Sequence, residues 1–436
     1  MVDWYIPLSI GLGALVVLFM TGMPIFLGFL IVIISGVVYL LGPAGFGMVV
    51  SSMYDTATTA SLGTIPLFIL LGEILFRSGC VQVLMDSIDK LVGQMRGRQY
   101  VLSIVLSTVL GALSGSAMAV GAMMGRSLLP IMQAKGYDLR LSIGTILGGA
   151  CLAPIIPPSL LAIIIGTLAD VSISSLLVGG VGPGLFLALI YVVACMVRIR
   201  MNPSLAPADD GHGTIPAREK LRAVLGLLPF SLIIFMVIGL IMLGIATPSE
   251  SAATGVLGGL ITAAYYGRLS FRMLFEAFSE AAKLASVILL ILVSAVMFTQ
   301  LLAFTGAIGG LTRLITSLEI NGWLMLFLMM LLPFLLCMFI DQLGLMLILI
   351  PIYVPILNLF EFDPVWFWVL FLINITLGAI TPPFGYVMFA LKAAAPEISM
   401  RDVFQSSWLF VGLTALGMLI IVLVPEIVTF LPSRFN

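Results

Sequence analysis

Between Leu113 and Gly166 the chain sets helix-breaking residues inside runs apolar enough to lie in a bilayer, and few folds tolerate such a sequence. The stretch reads Leu113-Ser114-Gly115-Ser116-Ala117-Met118-Ala119-Val120-Gly121 and continues through Arg126 and Pro130. After one more apolar segment it reaches Ala153-Pro154-Ile155-Ile156-Pro157-Pro158-Ser159. Lipid offers no hydrogen bonds, so backbone freed at that depth must line a cavity or coordinate something. A second copy of the pattern lies between Met338 and Leu391.

Composition supplies the membrane. Of 436 residues 61% are hydrophobic and 9% charged, against roughly 25% charged in soluble domains. The net charge of -1 gives no hint of nucleic acid or an anionic-lipid patch. Cys80, Cys151, Cys195 and Cys337 are scattered, without metal spacing, and read as packing residues. The N-terminal Met1-Val2-Asp3-Trp4-Tyr5 lacks a basic region and a small-residue cleavage site, so the first apolar run is expected to be a retained helix.

A helix needs about 20 apolar residues to cross a bilayer. Spans are expected near 5–22, 24–42, 62–77, 142–168 (broken) and 176–197, with 101–134 as a re-entrant hairpin interrupted at Ser114-Gly115-Ser116. The hydrophilic segment 198–222, which holds Asp209, Asp210 and the only histidine, His212, reads as a solvated cytoplasmic linker. The order of elements then returns: spans at 224–246 and 250–266, an amphipathic piece 270–283, a span 284–304 and an arm 306–320. A hairpin 323–358 interrupted at Asp341-Gln342-Leu343-Gly344, a broken span 364–392 and a last span 406–431 complete the chain. The expected fold is an all-α polytopic membrane protein with repeats 1–197 and 223–436, each of five spans plus one hairpin. An odd number of crossings inverts the second repeat.

Charge tests the topology. With the linker in the cytoplasm and the N-terminus periplasmic, 16 of the 19 Lys and Arg fall in cytoplasmic segments, Arg313 and Arg434 fall outside, and Arg126 lies in a hairpin. Such a bias is the positive-inside pattern.

In each half a hairpin tip would face a Pro-Pro break, Pro157-Pro158 or Pro382-Pro383. Proline removes a donor and frees the carbonyl one turn earlier. Free carbonyls, with the hydroxyls of Ser114, Ser116, Ser159 and Thr381, suit a hard cation, and the helix N-termini after each break suit a carboxylate. Asp341 is an intramembrane carboxylate and is functional by default. Glu73, with Arg77 at i+4, reads as a structural ion pair. Arg126 either meets a substrate carboxylate or snorkels to the cytoplasm.

At Leu113-Ser114-Gly115-Ser116-Ala117, Met124-Gly125-Arg126, Lys135-Gly136-Tyr137-Asp138, Ala153 to Ser159 and Gly378-Ala379-Ile380-Thr381-Pro382-Pro383 the chain resembles the large membrane subunit of the tripartite ATP-independent periplasmic (TRAP) transporters. The resemblance covers essentially the whole chain. It implies a bacterial inner-membrane symporter with an elevator motion, no cofactor beyond sodium as coupling ion, and two partners: a small four-helix membrane subunit on a separate polypeptide and a periplasmic substrate-binding protein. It also implies sodium at Ser114, Ser116, Pro154, Ile156, Asp341, Gly378 and Thr381. A small carboxylate substrate is expected at Ser116, Pro158, Ser159, Gln342, Pro382, Pro383 and Arg126.

The expected function is sodium-coupled import of small organic acids without covalent catalysis. A self-sufficient symporter of the divalent-anion and citrate type is the nearer alternative, and a passive channel a further one. His212 alone cannot build a zinc protease. An aspartyl intramembrane protease would need a second deep aspartate beside Asp341, and a serine enzyme on Ser116 would lack a histidine base.

Overall fold

The computed structural model describes residues 3–92, 95–207 and 216–435. Asp209, Asp210 and His212 of the expected linker lie outside the described residues. Every regular element among those described is helical. The chain begins with α1 (Tyr5–Met20), α2 (Ile25–Gly36), which runs on through a π turn at Val37–Leu41, α3 (Gly45–Ala57), α4 (Thr64–Arg77) and α5 (Cys80–Leu91). It continues with α6 (Arg98–Ser114), α7 (Ala117–Ser127), α8 (Leu129–Ala134), α9 (Leu139–Cys151), α10 (Leu160–Ala169) and α11 (Ile173–Met201). Beyond the linker come α12 (Ala217–Ile234), joined through a π turn to α13 (Leu240–Met242), α14 (Pro248–Tyr265), α15 (Phe271–Phe304) and α16 (Ala307–Ser317). The chain ends with α17 (Gly322–Leu336), α18 (Gln342–Phe360), α19 (Pro364–Gly378), α20 (Tyr386–Ala394), α21 (Met400–Leu423) and α22 (Glu426–Phe435).

Five stretches among the described residues are long and apolar enough to cross a bilayer unaided: Ile173–Met201, Ala217–Met242, Phe271–Phe304, Gln342–Phe360 and Met400–Leu423. Six shorter apolar helices, α1, α2 with its π turn, α6, α9, α17 and α19, accompany them. The protein is a multi-pass membrane protein of helices.

Packing sorts the helices into two groups. In the first, α4 lies against α14 and α15, α15 also against α2 and α3, α12 against α5, and α1 against α2 and α16. Small residues permit this closeness: a β-carbon on Gly259 would sit 3.2 Å from Leu71, and one on Gly255 would sit 2.6 Å from Val237. Arg77 pairs with Glu73 at 2.7 Å and Glu276 at 3.4 Å, so the ion pair expected at Glu73 is structural and ties α4 to α15.

In the second group α6 packs on α9, α17 on α19, α7 on α20 and α10 on α18, with α11, α21 and α22 closing around them. Each half thus packs a hairpin arm against its own broken span and exchanges the other arm with the opposite half. Only α4, α5, α15 and α16, touching α6, α10 and α18, with a smaller contact of α11 on α13, supply the principal joints between the groups.

Several boundaries depart from the sequence expectations. No break separates 270–283 from 284–304; α15 is one helix of 34 residues. The charges that made 270–283 look distinct are satisfied along the helix itself, Arg272 with Glu276 at 2.9 Å and Lys283 with Glu280 at 3.3 Å. The last span ends at Leu423, because Pro425 turns the chain before α22. The linker is shorter than 198–222: α11 continues through Arg198 and Arg200 to Met201, and α12 starts at Ala217. The return arm of the first hairpin is split at Leu128, two residues before Pro130, whose missing N–H and ring interrupt the helix. Helix α3 occupies a stretch left without an element in the sequence reading.

Candidate functional site

The first hairpin turns at Ser114-Gly115-Ser116. Gly115 caps α6 with φ 63°, a left-handed conformation open to glycine, and its N–H bonds to the Gly111 carbonyl at 2.7 Å. Ser116 is extended and caps α7, its Oγ accepting the Ala119 N–H at 3.3 Å, while the Ser116 N–H reaches Ser114 Oγ at 3.4 Å. Ser114 and Ser116 remain half-exposed.

The first break follows the same logic one layer deeper. From Cys151 to Pro158 every residue is buried. Ser159 caps α10 by accepting the Ala162 N–H at 3.1 Å, and its own hydroxyl donates to the Pro154 carbonyl. The carbonyls of Ala153, Ile155, Ile156, Pro157 and Pro158 receive no protein hydrogen bond among the described residues. Tip and break touch: a β-carbon on Gly115 would stand 3.1 Å from the Pro158 oxygen, and one on Gly111 would stand 2.5 Å from Ala153 Cα.

The second hairpin is closed by Tyr353, whose hydroxyl donates to the Met329 carbonyl at 2.9 Å across the arms. Asp341 caps α18, its carboxylate accepting the Leu343 N–H at 2.9 Å, and is exposed at the tip. Gln342, beside it, is buried, and its Oε1 has no hydrogen-bond partner among the described residues. At the second break Thr381 is fully buried and donates to the Leu377 carbonyl at 2.7 Å, while the Gly378 carbonyl accepts the Thr381 N–H at 3.1 Å. The carbonyls of Ile380, Pro382, Pro383 and Phe384 are free among the described residues. Gly378 lies directly on Cys337, and the rings of Phe339 and Phe384 stand 5.7 Å apart, so this tip also meets its break. The Pro157-Pro158 and Pro382-Pro383 bonds are both cis.

The halves interlock, since a β-carbon on Gly121 of α7 would lie 2.9 Å from Val387 of α20 and 3.8 Å from Ala150. Four helices end and four begin at these two centres, so free carbonyls and positive N-terminal ends share one region. Ser114, Ser116, Pro154, Ile156, Pro158 and Ser159 come together at the first centre, and Asp341, Gln342, Gly378, Thr381, Pro382 and Pro383 at the second. Arg126 stands ten residues along α7 from Ser116, about 15 Å away at a helical rise, and is exposed beside the α20 end that Gly125 packs on. Sequence reasoning passed over Asn374, a buried amide in the middle of α19 that donates to the Met330 carbonyl at 2.5 Å. An amide in an otherwise apolar run, with only Thr376 as polar company in the helix, was the available signal.

Residues 12–427 match the family described as the tripartite ATP-independent periplasmic transporter, DctM component. The chain is similar to the 2,3-diketo-L-gulonate TRAP transporter large permease protein of Escherichia coli, at 27% identity over 86% of this chain and 88% of that protein. It is also similar to the C4-dicarboxylate TRAP transporter large permease protein of Pseudomonas aeruginosa, at 25% identity over 82% of each. The ectoine TRAP transporter large permease protein of Halomonas elongata is 27% identical over 85% of this chain and 86% of its own length. In fold the chain resembles the YdaH transporter of Alcanivorax borkumensis, with a TM-score of 0.65 over 91% of this chain and 89% of that one, at 14% identity. With two hairpin tips against two proline breaks and a family match over nearly its full length, the chain belongs to the DctM family, the large membrane component of the tripartite ATP-independent periplasmic transporters.

Proposed function

We propose that this chain is the translocation subunit of a sodium-coupled, binding-protein-dependent importer of small organic acids. The observation that carries the reading is the paired centre. Each break presents free carbonyls beside a hairpin tip, with two serines in one half and Asp341 in the other. Hard cations take such oxygen ligands, and carboxylates favour the helix N-termini facing the same space. The cation set is Ser114, Ser116, Pro154, Ile156, Asp341, Gly378 and Thr381. Of these the Ile156 carbonyl has no protein donor among the described residues, and Asp341 supplies the charge. Substrate contacts fall to Ser116, Pro158, Ser159, Gln342, Pro382 and Pro383, with Arg126 at the far end of the same hairpin.

The repeats 1–197 and 223–436 are read as inverted copies, with the N-terminus periplasmic and the linker in the cytoplasm of a bacterial inner-membrane protein. The two packing groups fit an elevator, in which the hairpins and broken spans slide along the scaffold of α1–α5 and α12–α16. The partners are a small four-helix membrane subunit and a periplasmic binding protein. Relatives named for a dicarboxylate, a diketogulonate and ectoine point to a translocation site that does not by itself choose the solute.

The test is uptake into proteoliposomes holding the chain with its small subunit, using a panel of carboxylates, with and without a sodium gradient and with and without the cognate binding protein. Uptake that needs both supports the reading. Uptake by the chain alone defeats the three-part assembly, and uptake indifferent to sodium defeats the coupling ion. An accessible cysteine at Arg218 should react with an impermeant thiol reagent from the cytoplasmic side; labelling from the periplasm overturns the orientation.

A further inference from the structure

Helices α7 and α20 run side by side in the same direction. A β-carbon on Gly121 would lie 2.9 Å from Val387, and four residues later one on Gly125 would run into Leu391, so the two helices stay in step. Ser116 caps one and Gly385 precedes the other, so both start at the interrupted centres. Met118, Ala122 and Arg126 follow one another on α7 at four-residue steps, with Met118 48% exposed, Ala122 half-buried and Arg126 exposed. On α20 the open row is Tyr386, Phe389 and Ala390, with Phe389 43% exposed. At 3.6 residues per turn each row stands roughly 100° from its helix's contact with the other, in opposite senses. For parallel neighbours that puts both rows on one side of the pair, in a single face that leads from the hairpin tip to Arg126. None of the principal contacts of α7 and α20 is with the scaffold group, so no scaffold helix covers this face.

Its chemistry is one-sided. Helices α7, α8 and α20 contain no acidic residue. Arg126 has no hydrogen bond or ion pair among the described residues. Lys392 of α20 adds a second cation, its Nζ held by the Pro396 and Ile398 carbonyls at 2.6 Å. At the inner end Tyr386 follows the second break as the first residue of α20. Helical side chains lean toward the N-terminus of their helix, so the phenol projects back toward the centres. Asp341 and Cys337 of the second tip and Cys151 at the end of α9 are the ionisable groups whose charge reaches it. Its hydroxyl has no hydrogen bond among the described residues. Lipid would leave that hydroxyl, and the half-exposed Ser114 and Ser116 at the first tip, without an acceptor. Water satisfies them, and so does a carboxylate, which only accepts.

We propose that the common face of α7 and α20 is the wall along which a small carboxylate passes between the two centres and the Arg126 side of the membrane, with Tyr386 lining the inner end and the Arg126 guanidinium holding the anion at the outer end. The inference rests on the reading above for the class of the cargo and for the cytoplasm as the side on which Arg126 lies.

The test uses the full complex in lipid nanodiscs, open on both faces, with Cys80, Cys151, Cys195 and Cys337 replaced by alanine. Single thiols are introduced by Ala122→Cys and Tyr386→Cys, with Ala390→Cys on the same row standing in if Tyr386→Cys does not fold. Leu185→Cys, at a position 57% exposed within the spanning helix α11, is the lipid-facing control. The probes are 2-sulfonatoethyl methanethiosulfonate, an anion, and 2-(trimethylammonium)ethyl methanethiosulfonate, a cation of similar size, each rate divided by the rate with a free thiol. In sodium medium the anionic probe should modify positions 122 and 386 at least about tenfold faster than position 185, where lipid excludes charge, and faster than the cationic probe does. Arg126 stands about 6 Å along α7 from position 122, so Arg126→Gln should lower the anion preference there roughly three- to tenfold. Rates no higher than at 185, the absence of an anion preference, or a preference untouched by Arg126→Gln overturns the proposal. Replacing sodium by choline separates it from the coupling reading. An uncompensated Asp341 should lower the anion preference at 386, and an unchanged preference strikes sodium from Asp341 while the wall stands.

Discussion

Gly111 and Ala153 meet so closely that a β-carbon on Gly111 would lie 2.5 Å from the Ala153 Cα. This contact presses the first hairpin onto the first break, and it exists only because position 111 has no side chain. Gly111→Ala should therefore push the hairpin away from Pro154 and destabilise the protein by about 1–3 kcal/mol, the usual cost of overpacking. A fall in the melting temperature of the detergent-purified complex, with reduced uptake, is expected. Gly412→Ala is the control, since nothing lies within 4 Å of its β-carbon position, and it should stabilise the helix by roughly 0.5–1 kcal/mol. Equal melting temperatures for both variants would refute the packing argument.

Asp341 caps a helix and, in the proposed function, also holds the cation, and the two roles are separable. Its carboxylate caps α18 through the Leu343 N–H at 2.9 Å, a task asparagine performs as well as aspartate. Asp341→Asn should leave the melting temperature nearly unchanged while shifting sodium activation of uptake to higher concentration. Asp341→Ala should lose the cap as well, at about 1 kcal/mol. An unaltered sodium dependence in both variants removes Asp341 from the cation site.

Ser159 joins the two ends of its break, accepting from Ala162 at 3.1 Å and donating to the Pro154 carbonyl. Ser159→Ala removes both bonds from a buried site and is expected to cost about 1–3 kcal/mol, with uptake falling in parallel. If thermal melting and uptake match the unmodified protein, Ser159 holds neither the cap nor the break.

A pair at the N-terminal end of α21, ahead of the apolar run expected from 406, gives a pH signature. Asp402 is held below the ordinary carboxylate range, first by the Ser399 hydroxyl and then by Arg140, whose Nε lies 3.3 Å from it. A depressed folded-state pKa adds stability above the unfolded value, near 3.8, and that stability disappears as pH falls through the folded value. Asp402→Asn should thus melt below the unmodified protein at neutral pH, with the two curves converging as pH falls through the folded value. The gap is expected to be small because the pair is exposed. A gap that widens on acidification would contradict the sign.

The breaks were legible because proline and glycine act on backbone locally: Ser116, Ser159 and Asp341 all cap helices at the positions their sequence neighbours indicate. The length of α15 was less legible, since Glu276, Glu280 and Lys283 look like an interruption until their ion pairs along one helix are seen. The burial of Gln99, Ser103 and Ser107 on α6 was hidden for another reason. A serine in a helix ordinarily bonds its own carbonyls, and only the folded structure shows that Ser103 and Ser107 have no hydrogen-bond partner among the described residues.

Sequence by itself determined that this is a helical membrane protein with two interrupted centres, because hydrophobicity, helix breaking and capping depend on residues within a turn or two of one another. Tertiary structure alone decided which tip meets which break, that α7 crosses to α20 and α10 to α18, and where buried oxygens go unpaired. Those relations join residues far apart in the chain, and they are fixed by how closely glycine-bearing faces let helices approach.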